Sequence, residues 1–124
     1  MKTSDITKLD KLWSEAVKLI GGNKCLRCGR ITTLNSHHFY SKSNQSTRWD
    51  IDNGVCLCVA HHVFGTDSAH KAPADFVDFM IEERGQEWLD ALRIRKNTIR
   101  KQFYEEVKHE LEDIILDYSM TKGL

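Results

Sequence analysis

Two short motifs constrain the fold of this 124-residue chain more than any other feature of its sequence. The first separates Cys25 and Cys28 by two residues before a glycine, and the second, about thirty residues later, gives Cys58 and His61 the same spacing. A Cys3His set of this kind is typical of a closed, tetrahedral zinc site. Buried free thiols are the alternative, as is a redox pair for the first motif, but a redox pair does not predict the second. The sequence therefore predicts a structural zinc that fixes the fold around these residues.

The remaining cysteine, Cys56, lies two residues before Cys58. In a strand the two side chains point the same way, so Cys56 is either a competing ligand or, as the repeated spacing of the motifs favours, a core residue. Disulfides are not expected, because the N-terminal sequence lacks a signal-peptide pattern and no apolar run reaches the about 18 residues of a membrane span. We predict a cytoplasmic protein, or one in the host cytoplasm if a phage encodes it, with no membrane partner.

The chain is neutral overall, but its charges are unevenly placed. It has 18 Lys and Arg against 18 Asp and Glu, yet residues 1–49 hold nine basic and three acidic residues and so carry a net charge of +6. The length, with 40% hydrophobic and 29% charged residues, is typical of one soluble globular domain. The basic N-terminal part favours a polyanionic partner such as DNA, and an ordinary solvated surface is the alternative.

Helical periodicity is confined to the two ends of the chain. Apolar residues repeat at helical spacing over residues 4–20, where Ser4 or Asp5 can serve as the N-cap. The pattern returns after Pro73, which suits a first helical turn. It predicts a last helix over residues 97–119 whose apolar face needs a partner surface and can mediate a homodimer or bind a protein partner.

The centre of the chain is aperiodic and rich in Cys, His, Gly, Asn, Ser and Thr. Short strands are predicted at residues 30–34 and 53–58, and a polar loop at residues 41–47. The predicted fold class is α+β, mainly helical, with a small zinc-braced finger flanked by helices. We expect one domain with three segments: an N-terminal helix over residues 1–22, the finger over residues 23–72 and C-terminal helices over residues 73–124.

Histidines cluster around the predicted zinc site in a way that a structural zinc does not require. His37 and His38 are adjacent and lie between the two motifs, and His62 directly follows the proposed ligand His61. One zinc ion cannot bind all of these side chains. Paired histidines on either side of the zinc site instead predict a second, open metal position, with one imidazole free to take a proton from water near neutral pH.

The order of these motifs resembles that of the HNH endonucleases, also called the His-Me finger or ββα-metal group. The resemblance covers residues 24–72 and is carried by the segments CLRCG, LNSHHFYSKS, WDIDNGVCLC and CVAHH. It implies a ββα-metal finger whose three signature positions fall on His38, Asn53 and His62. The segment STRWDIDN is also similar to phage recombination nucleases of the NinG type.

The resemblance implies a role for each of these residues in phosphodiester hydrolysis. His37 and His62 hold one divalent ion, such as Mg²⁺, Mn²⁺ or Ni²⁺, and His38 removes a proton from the attacking water. Asn53 holds the His38 loop through backbone contacts. Many relatives have Asp where His37 stands, and an imidazole there favours softer transition ions over Mg²⁺. His70 is a further metal ligand, a contact to the phosphate, or only the lead into the next helix.

We therefore expect a metal-dependent endonuclease that hydrolyses DNA, in phage recombination or another form of DNA processing. The alternative is a zinc-stabilised nucleic-acid-binding module without catalysis, but such a module has no need for additional histidines beside a filled zinc site. Lys42 and Arg48 are candidate contacts to DNA phosphates. Plain solvation of Lys42, and an ion pair between Arg48 and Asp50 or Asp52, are the other interpretations.

Overall fold

Helices at both ends of the chain enclose a short sheet, within the part that the computed structural model describes, residues 1–122. The elements are α1 Thr3–Ile20, β1 Leu34–His38, β2 Gly54–Cys58, α2 Pro73–Arg84, α3 Gln86–Lys96 and α4 Tyr104–Lys122. A short 3-10 turn, Ile51–Asn53, precedes β2, and a π-helical turn, Ala60–Phe64, follows it. The predicted α+β class is confirmed, and residues 123–124 of the predicted C-terminal segment lie outside the described residues. No helix in this part of the chain combines the length and the apolar character needed to cross a bilayer.

α1 forms where the apolar repeat predicts it, within one residue. Apolar side chains three or four residues apart share one face of a helix. The buried face of α1 consists of Leu9, Trp13, Ala16 and Val17. The predicted N-caps are wrong, because the helix begins at Thr3, before both Ser4 and Asp5. The Asp5 carboxylate instead accepts a hydrogen bond from the backbone N–H of Lys2 at 3.1 Å.

β1 and β2 form an antiparallel pair, with Leu34 opposite Cys58 and His38 opposite Gly54. The second strand lies where it was predicted, but the first begins where it was predicted to end. Thr33 has a φ of 54°, a left-handed conformation that interrupts extended backbone just before the strand. As a result, the two adjacent histidines lie at the end of β1.

Gly54 allows α1 to pack directly against the sheet. A Cβ atom at this position would collide with the side chains of Val17 and Trp13, so the close approach requires glycine. Because Gly54 pairs with His38 across the sheet, the same contact brings Trp13 to the end of β1.

The first core joins α1 to α4 and also contains Trp49 and Cys56. Val107 and Leu111 of α4 are buried in it, so the apolar face of α4 finds a partner surface in α1 of the same chain. Cys56 is 3% exposed in this core. The prediction that it is a core residue is confirmed.

The last helix begins at Tyr104, rather than at residue 97 as its apolar repeat predicts. The residues between cross from α3 to α4, and Ile99 is fully exposed. The Ser46 hydroxyl donates a hydrogen bond to the backbone carbonyl of Thr98 at 2.7 Å. This contact ties the crossing segment to the predicted polar loop.

The second core lies against β2 and buries two thiols of the predicted zinc site. Cys25 and Cys58 are both in it, together with Phe76 and Met80 of α2. The π-helical turn directly follows β2, and α2 begins only at Pro73. The finger is therefore a two-stranded hairpin, a short helical turn and a helix that packs beneath the cysteine motifs.

Candidate metal centres and the histidine cavity

Four side chains of the two spaced motifs converge on one point. Their ligand atoms all lie within 4.8 Å of one another, and the residues, which we call the knuckle, are Cys25, Cys28, Cys58 and His61. The Sγ atoms of Cys28 and Cys58 are 3.7 Å apart. Nδ1 of His61 lies 3.3 Å from Sγ of Cys58 and 3.8 Å from Sγ of Cys25. Tetrahedral ligands of one zinc ion lie about 3.7 Å apart for two sulfurs and about 3.5 Å apart for sulfur and nitrogen, so the knuckle fits a structural zinc.

Backbone hydrogen bonds shape the first half of the knuckle. Gly29 has a φ of 77°, a conformation that glycine adopts without steric cost. Its N–H donates to the carbonyl of Cys25 at 2.8 Å, which closes the turn between the two sulfurs. The N–H of Leu26 donates to the carbonyl of Cys56 at 2.9 Å. The turn is thereby anchored to β2, which carries the third sulfur at its end.

The thiol of Cys25 ionises more easily than an ordinary cysteine. Burial alone raises its pKa, but hydrogen bonds from the backbone N–H groups of Cys58, Cys28 and Arg27 outweigh burial and lower the pKa to about 6. The thiolate is the form that binds a metal. At neutral pH the knuckle therefore already presents a sulfur in its metal-binding form.

The carboxylate of Asp67, outside the knuckle, orients the imidazole of His61. Nε2 of His61 lies 3.5 Å from a carboxylate oxygen of Asp67, while Nδ1 faces the thiols of the knuckle. A carboxylate beside one ring nitrogen favours the proton there and leaves the other nitrogen's lone pair for the metal. The same carboxylate lies 3.9 Å from the guanidinium of Arg27. No spacing in the sequence marks Asp67 as a partner of the knuckle.

A second cluster contains three imidazoles and no sulfur. The ligand atoms of His37, His62 and His70 lie within 4.8 Å of one another, and Nε2 of His62 is 3.1 Å from Nε2 of His70. The N–H of His70 donates to the carbonyl of His62 at 3.2 Å. This bond holds the turn before α2 against the π-helical turn. Of the interpretations of His70, the structure favours the one that places it among the possible metal ligands.

The three imidazoles suit a divalent ion. Two nitrogens bound to one ion at about 2.0–2.1 Å lie about 2.9–3.4 Å apart, which brackets the separation between His62 and His70. Burial, followed by the proximity of His62 and His70, lowers the pKa of His37 to about 3, and burial also lowers the pKa of His62. These two rings are therefore neutral, as metal ligands must be. Within residues 1–122, the buried Nδ1 atom of His62 has no hydrogen-bond partner.

His38 shares a cavity with these imidazoles but is held by different contacts. The cavity has a volume of about 480 Å³ and is lined by His37, His38, Lys42, His62 and His70, among others. The His38 ring stacks on the indole of Trp13, with ring centroids 3.8 Å apart and an interplanar angle of 10°. Its Nε2 lies 3.0 Å from the backbone carbonyl oxygen of Arg48. Burial, which outweighs that hydrogen bond, lowers the pKa of His38.

Asn53 clamps the chain just after His38. It is completely buried, and its side-chain oxygen accepts a hydrogen bond from the N–H of Tyr40 at 2.7 Å, while its amide group donates to the carbonyl of Tyr40 at 3.0 Å. The N–H of Phe39 also donates to the carbonyl of Asn53 at 2.8 Å. The backbone contacts expected of Asn53 are therefore present, and its part in catalysis stays a prediction.

The chain has no relative in the comparisons. Models of known protein families, curated proteins and solved structures all give no match. The proposals for the knuckle and the histidine cavity therefore depend on the order of the sequence motifs and on the contacts of these residues.

The two predicted DNA contacts, Lys42 and Arg48, differ in their exposure and in their ion pairing. Lys42 is exposed at the histidine cavity, and its contact with DNA stays a prediction. The alternative interpretation of Arg48, an ion pair with Asp50 or Asp52, does not match the structure. Arg95 pairs with both of those carboxylates, at 2.6 Å and 2.8 Å.

The guanidinium of Arg48 instead pairs with Asp10 of α1, through Nε at 3.0 Å and through the terminal nitrogen NH2 at 2.7 Å. This geometry leaves Arg48 committed to a carboxylate and weakens its case as a phosphate contact. Neither Asp10 nor Trp13 was predicted as part of the site. Both lie in an ordinary amphipathic helix, where no local pattern marks them.

Proposed function

We propose that this chain is a metal-dependent endonuclease of the HNH type, built on a zinc-braced ββα finger, that hydrolyses phosphodiester bonds in DNA. The observation that supports this most is the presence of two ligand clusters side by side. His61 completes a four-ligand set with three sulfurs, whereas the next residue, His62, joins two other imidazoles in a cavity. A structural zinc needs only the first set. The second set has the open character of a reactive site.

We propose that His37, His62 and His70 hold the catalytic ion. Imidazole donors suit transition ions, and Mg²⁺ prefers oxygen ligands, so an all-imidazole set favours Ni²⁺ or Mn²⁺ over Mg²⁺. When bound, such an ion supplies electrostatic stabilisation of the charge that develops on the phosphate and the leaving oxygen.

His38 is the proposed general base. A backbone carbonyl oxygen only accepts hydrogen bonds, so the contact with Arg48 requires the proton of a neutral His38 to be on Nε2. Nδ1 then keeps its lone pair and is the atom that accepts a proton from water. The lowered pKa of His38 keeps this ring neutral at physiological pH. Asn53 fixes the backbone that follows the base.

The test is nicking of a supercoiled plasmid by the zinc-loaded full chain, with Ni²⁺, Mn²⁺ or Mg²⁺ added in turn. We expect cleavage by wild type, most strongly with Ni²⁺ or Mn²⁺, and a rate about 10²- to 10⁴-fold lower for His38→Ala, which is the usual contribution of a general base. His109→Ala is the matched control, because His109 is exposed on α4 and lies 3.7 Å from Glu105.

Two results contradict the proposal. If His38→Ala cuts as fast as wild type, His38 is not the base. If wild type retains zinc and binds DNA but cuts it with none of the three ions, the chain is the non-catalytic nucleic-acid-binding module instead.

A further inference from the structure

We propose that Asp10 of α1 is a positioning residue for His38, and that it acts through Arg48. This inference rests on the proposed role of His38 as the base, and it adds the N-terminal helix to the reactive site. Asp10 itself touches neither His38 nor the histidine cluster in any hydrogen bond of residues 1–122. Arg48 links the two residues, because its side chain pairs with Asp10 and its backbone carbonyl contacts His38.

The first step is the attachment of the loop to α1. The Asp10 carboxylate accepts hydrogen bonds from two nitrogens of Arg48, at 3.0 Å and 2.7 Å, and from the indole N–H of Trp49 at 2.9 Å. Burial alone raises the pKa of Asp10, but the hydrogen bonds from Arg48 and Trp49 lower it below its ordinary value. The carboxylate is therefore ionised at neutral pH, and its bidentate pair with Arg48 is the strong kind of ion pair.

The second step connects Arg48 to the base. The side chain of Arg48 is held by Asp10, and the backbone carbonyl of the same residue accepts the hydrogen bond from Nε2 of His38 at 3.0 Å. The position of that oxygen decides which ring nitrogen carries the proton. Fixing the Arg48 side chain therefore fixes the proton of His38.

The third step comes from the same helix. Trp13 lies one turn after Asp10 and stacks on the His38 ring, and its indole N–H donates to the carbonyl of Asp50 at 2.9 Å. α1 thus holds residues 48–50 from two positions and also covers one face of the imidazole. Packing of a loop against a helix does not by itself require both a loop carbonyl and an aromatic ring of the helix to contact the same imidazole. Here the Arg48 carbonyl and the Trp13 ring both contact His38.

The direct test is the tautomer of His38, read from ¹⁵N chemical shifts of imidazole-labelled, zinc-loaded full chain without a second metal. We expect the Nε2–H tautomer in wild type and a mixture of both tautomers in Asp10→Asn, which removes the charge but not the shape. Glu15→Gln is the matched control, because it makes the same charge change at an exposed position of α1. An unchanged tautomer in Asp10→Asn overturns the proposal.

The second test is the plasmid assay under single-turnover conditions. We expect Asp10→Asn and Arg48→Gln each to lower the rate constant at saturating DNA by about 10- to 100-fold, with the DNA concentration for half-maximal rate unchanged. Because the two residues act in series, the double variant should be no slower than the slower single variant. Additive losses, or a loss only in DNA affinity, contradict a positioning role.

These outcomes separate the two proposals. If wild type cuts and His38→Ala does not, but Asp10→Asn behaves as wild type in both tests, the endonuclease function stands and the role of Asp10 is wrong. If wild type never cuts, the function is wrong, and the tautomer measurement still decides whether Asp10 positions the ring. If Asp10→Asn loses its zinc or its cooperative melting, Arg48→Gln answers the same question, because it breaks the ion pair and keeps the backbone carbonyl.

Discussion

His61 and His62 are neighbours in the chain, yet their imidazoles belong to clusters of different character. His61 meets three sulfurs, two of them almost completely buried, and its second nitrogen faces a carboxylate. His62 meets two other imidazoles at an open cavity that also contains a fourth histidine. Closed sulfur-rich sites hold a metal for structure, whereas open nitrogen sites leave room for a reactant. The π-helical turn that carries both histidines therefore separates the sulfur-rich knuckle from the histidine cavity, which is the proposed reactive site.

The two clusters also differ in what supports them. The knuckle is held by backbone hydrogen bonds within a few residues of its cysteines. The cavity takes its histidines from β1, from the π-helical turn and from the turn before α2, and its proposed base is held by α1 and by Asn53. The knuckle therefore depends on turns around its two motifs and on the second core, whereas the cavity also depends on contacts from α1.

The largest expected effect is the loss of the knuckle in Cys58→Ser. Structural zinc contributes about 10–16 kcal/mol of apparent binding free energy in small zinc domains, which matches or exceeds the about 5–15 kcal/mol stability of a typical domain. We expect the variant to lose its zinc, its cooperative thermal unfolding and all nuclease activity together. Elemental analysis and circular dichroism measure this. Cys56→Ala is the control and should keep its zinc, so retention of one zinc per chain in Cys58→Ser would refute the ligand assignment.

The next effect is confined to the cavity, in His62→Ala. Loss of a catalytic ion removes several kcal/mol of transition-state stabilisation, so we expect nicking to fall by about 10²-fold or more. The zinc content and the melting temperature should stay close to those of wild type, because the knuckle does not use this ring. A variant that loses zinc and activity in parallel would show that the two clusters are one site.

A smaller effect is expected for Asp67, the carboxylate that contacts His61 from outside the knuckle. Asp67→Asn keeps the shape beside His61 but removes the charge that orients it, and carboxylate partners of metal-bound histidines typically contribute about 10- to 100-fold in affinity. We expect the zinc affinity, measured by competition with a chelator, to weaken by that factor. The affinity of the cavity for Ni²⁺ should not change. The reverse pattern would mean that Asp67 supports the cavity rather than the knuckle.

The smallest expected effect is the pH dependence of metal binding in the cavity. Burial lowers the pKa of His37 to about 3 and also lowers the pKa of His62, so protons compete less with a metal than they do at ordinary imidazoles. Three imidazoles with the ordinary pKa of about 6.5 would lose about 50-fold in affinity between about pH 7.5 and pH 6. We expect less than about a tenfold loss for Ni²⁺ binding to the zinc-loaded chain, measured by calorimetry. A loss of 50-fold or more would contradict the lowered pKa values of His37 and His62.

The contrast between the knuckle and the histidine cavity also explains which residues could be predicted from the sequence. The four knuckle ligands follow from a repeated spacing that is itself the geometric requirement for one ion, and the helix of residues 4–20 follows from its apolar repeat. The place of His70 and the roles of Asp10 and Trp13 depend on how distant elements pack. No local pattern contains that information.

Two errors in the elements have local causes that hydrophobic patterns do not register. β1 begins only at Leu34, because the left-handed backbone of Thr33 precedes it. α4 begins only at Tyr104, because the preceding segment is hydrogen-bonded to the polar loop through Ser46. In both places the side chains suit the predicted element, and the backbone departs from it, through a left-handed residue at Thr33 and through a hydrogen bond to the polar loop before α4.

The most direct test of two separate ion positions is the metal stoichiometry of the wild-type chain by native mass spectrometry. Zinc-loaded protein is titrated with Ni²⁺ and then treated with a chelator too weak to strip a thiolate site. We expect one Zn²⁺ and one Ni²⁺ per chain at first, and one Zn²⁺ alone after the chelator. A single ion per chain throughout, or Ni²⁺ that enters only by displacing Zn²⁺, would contradict the account.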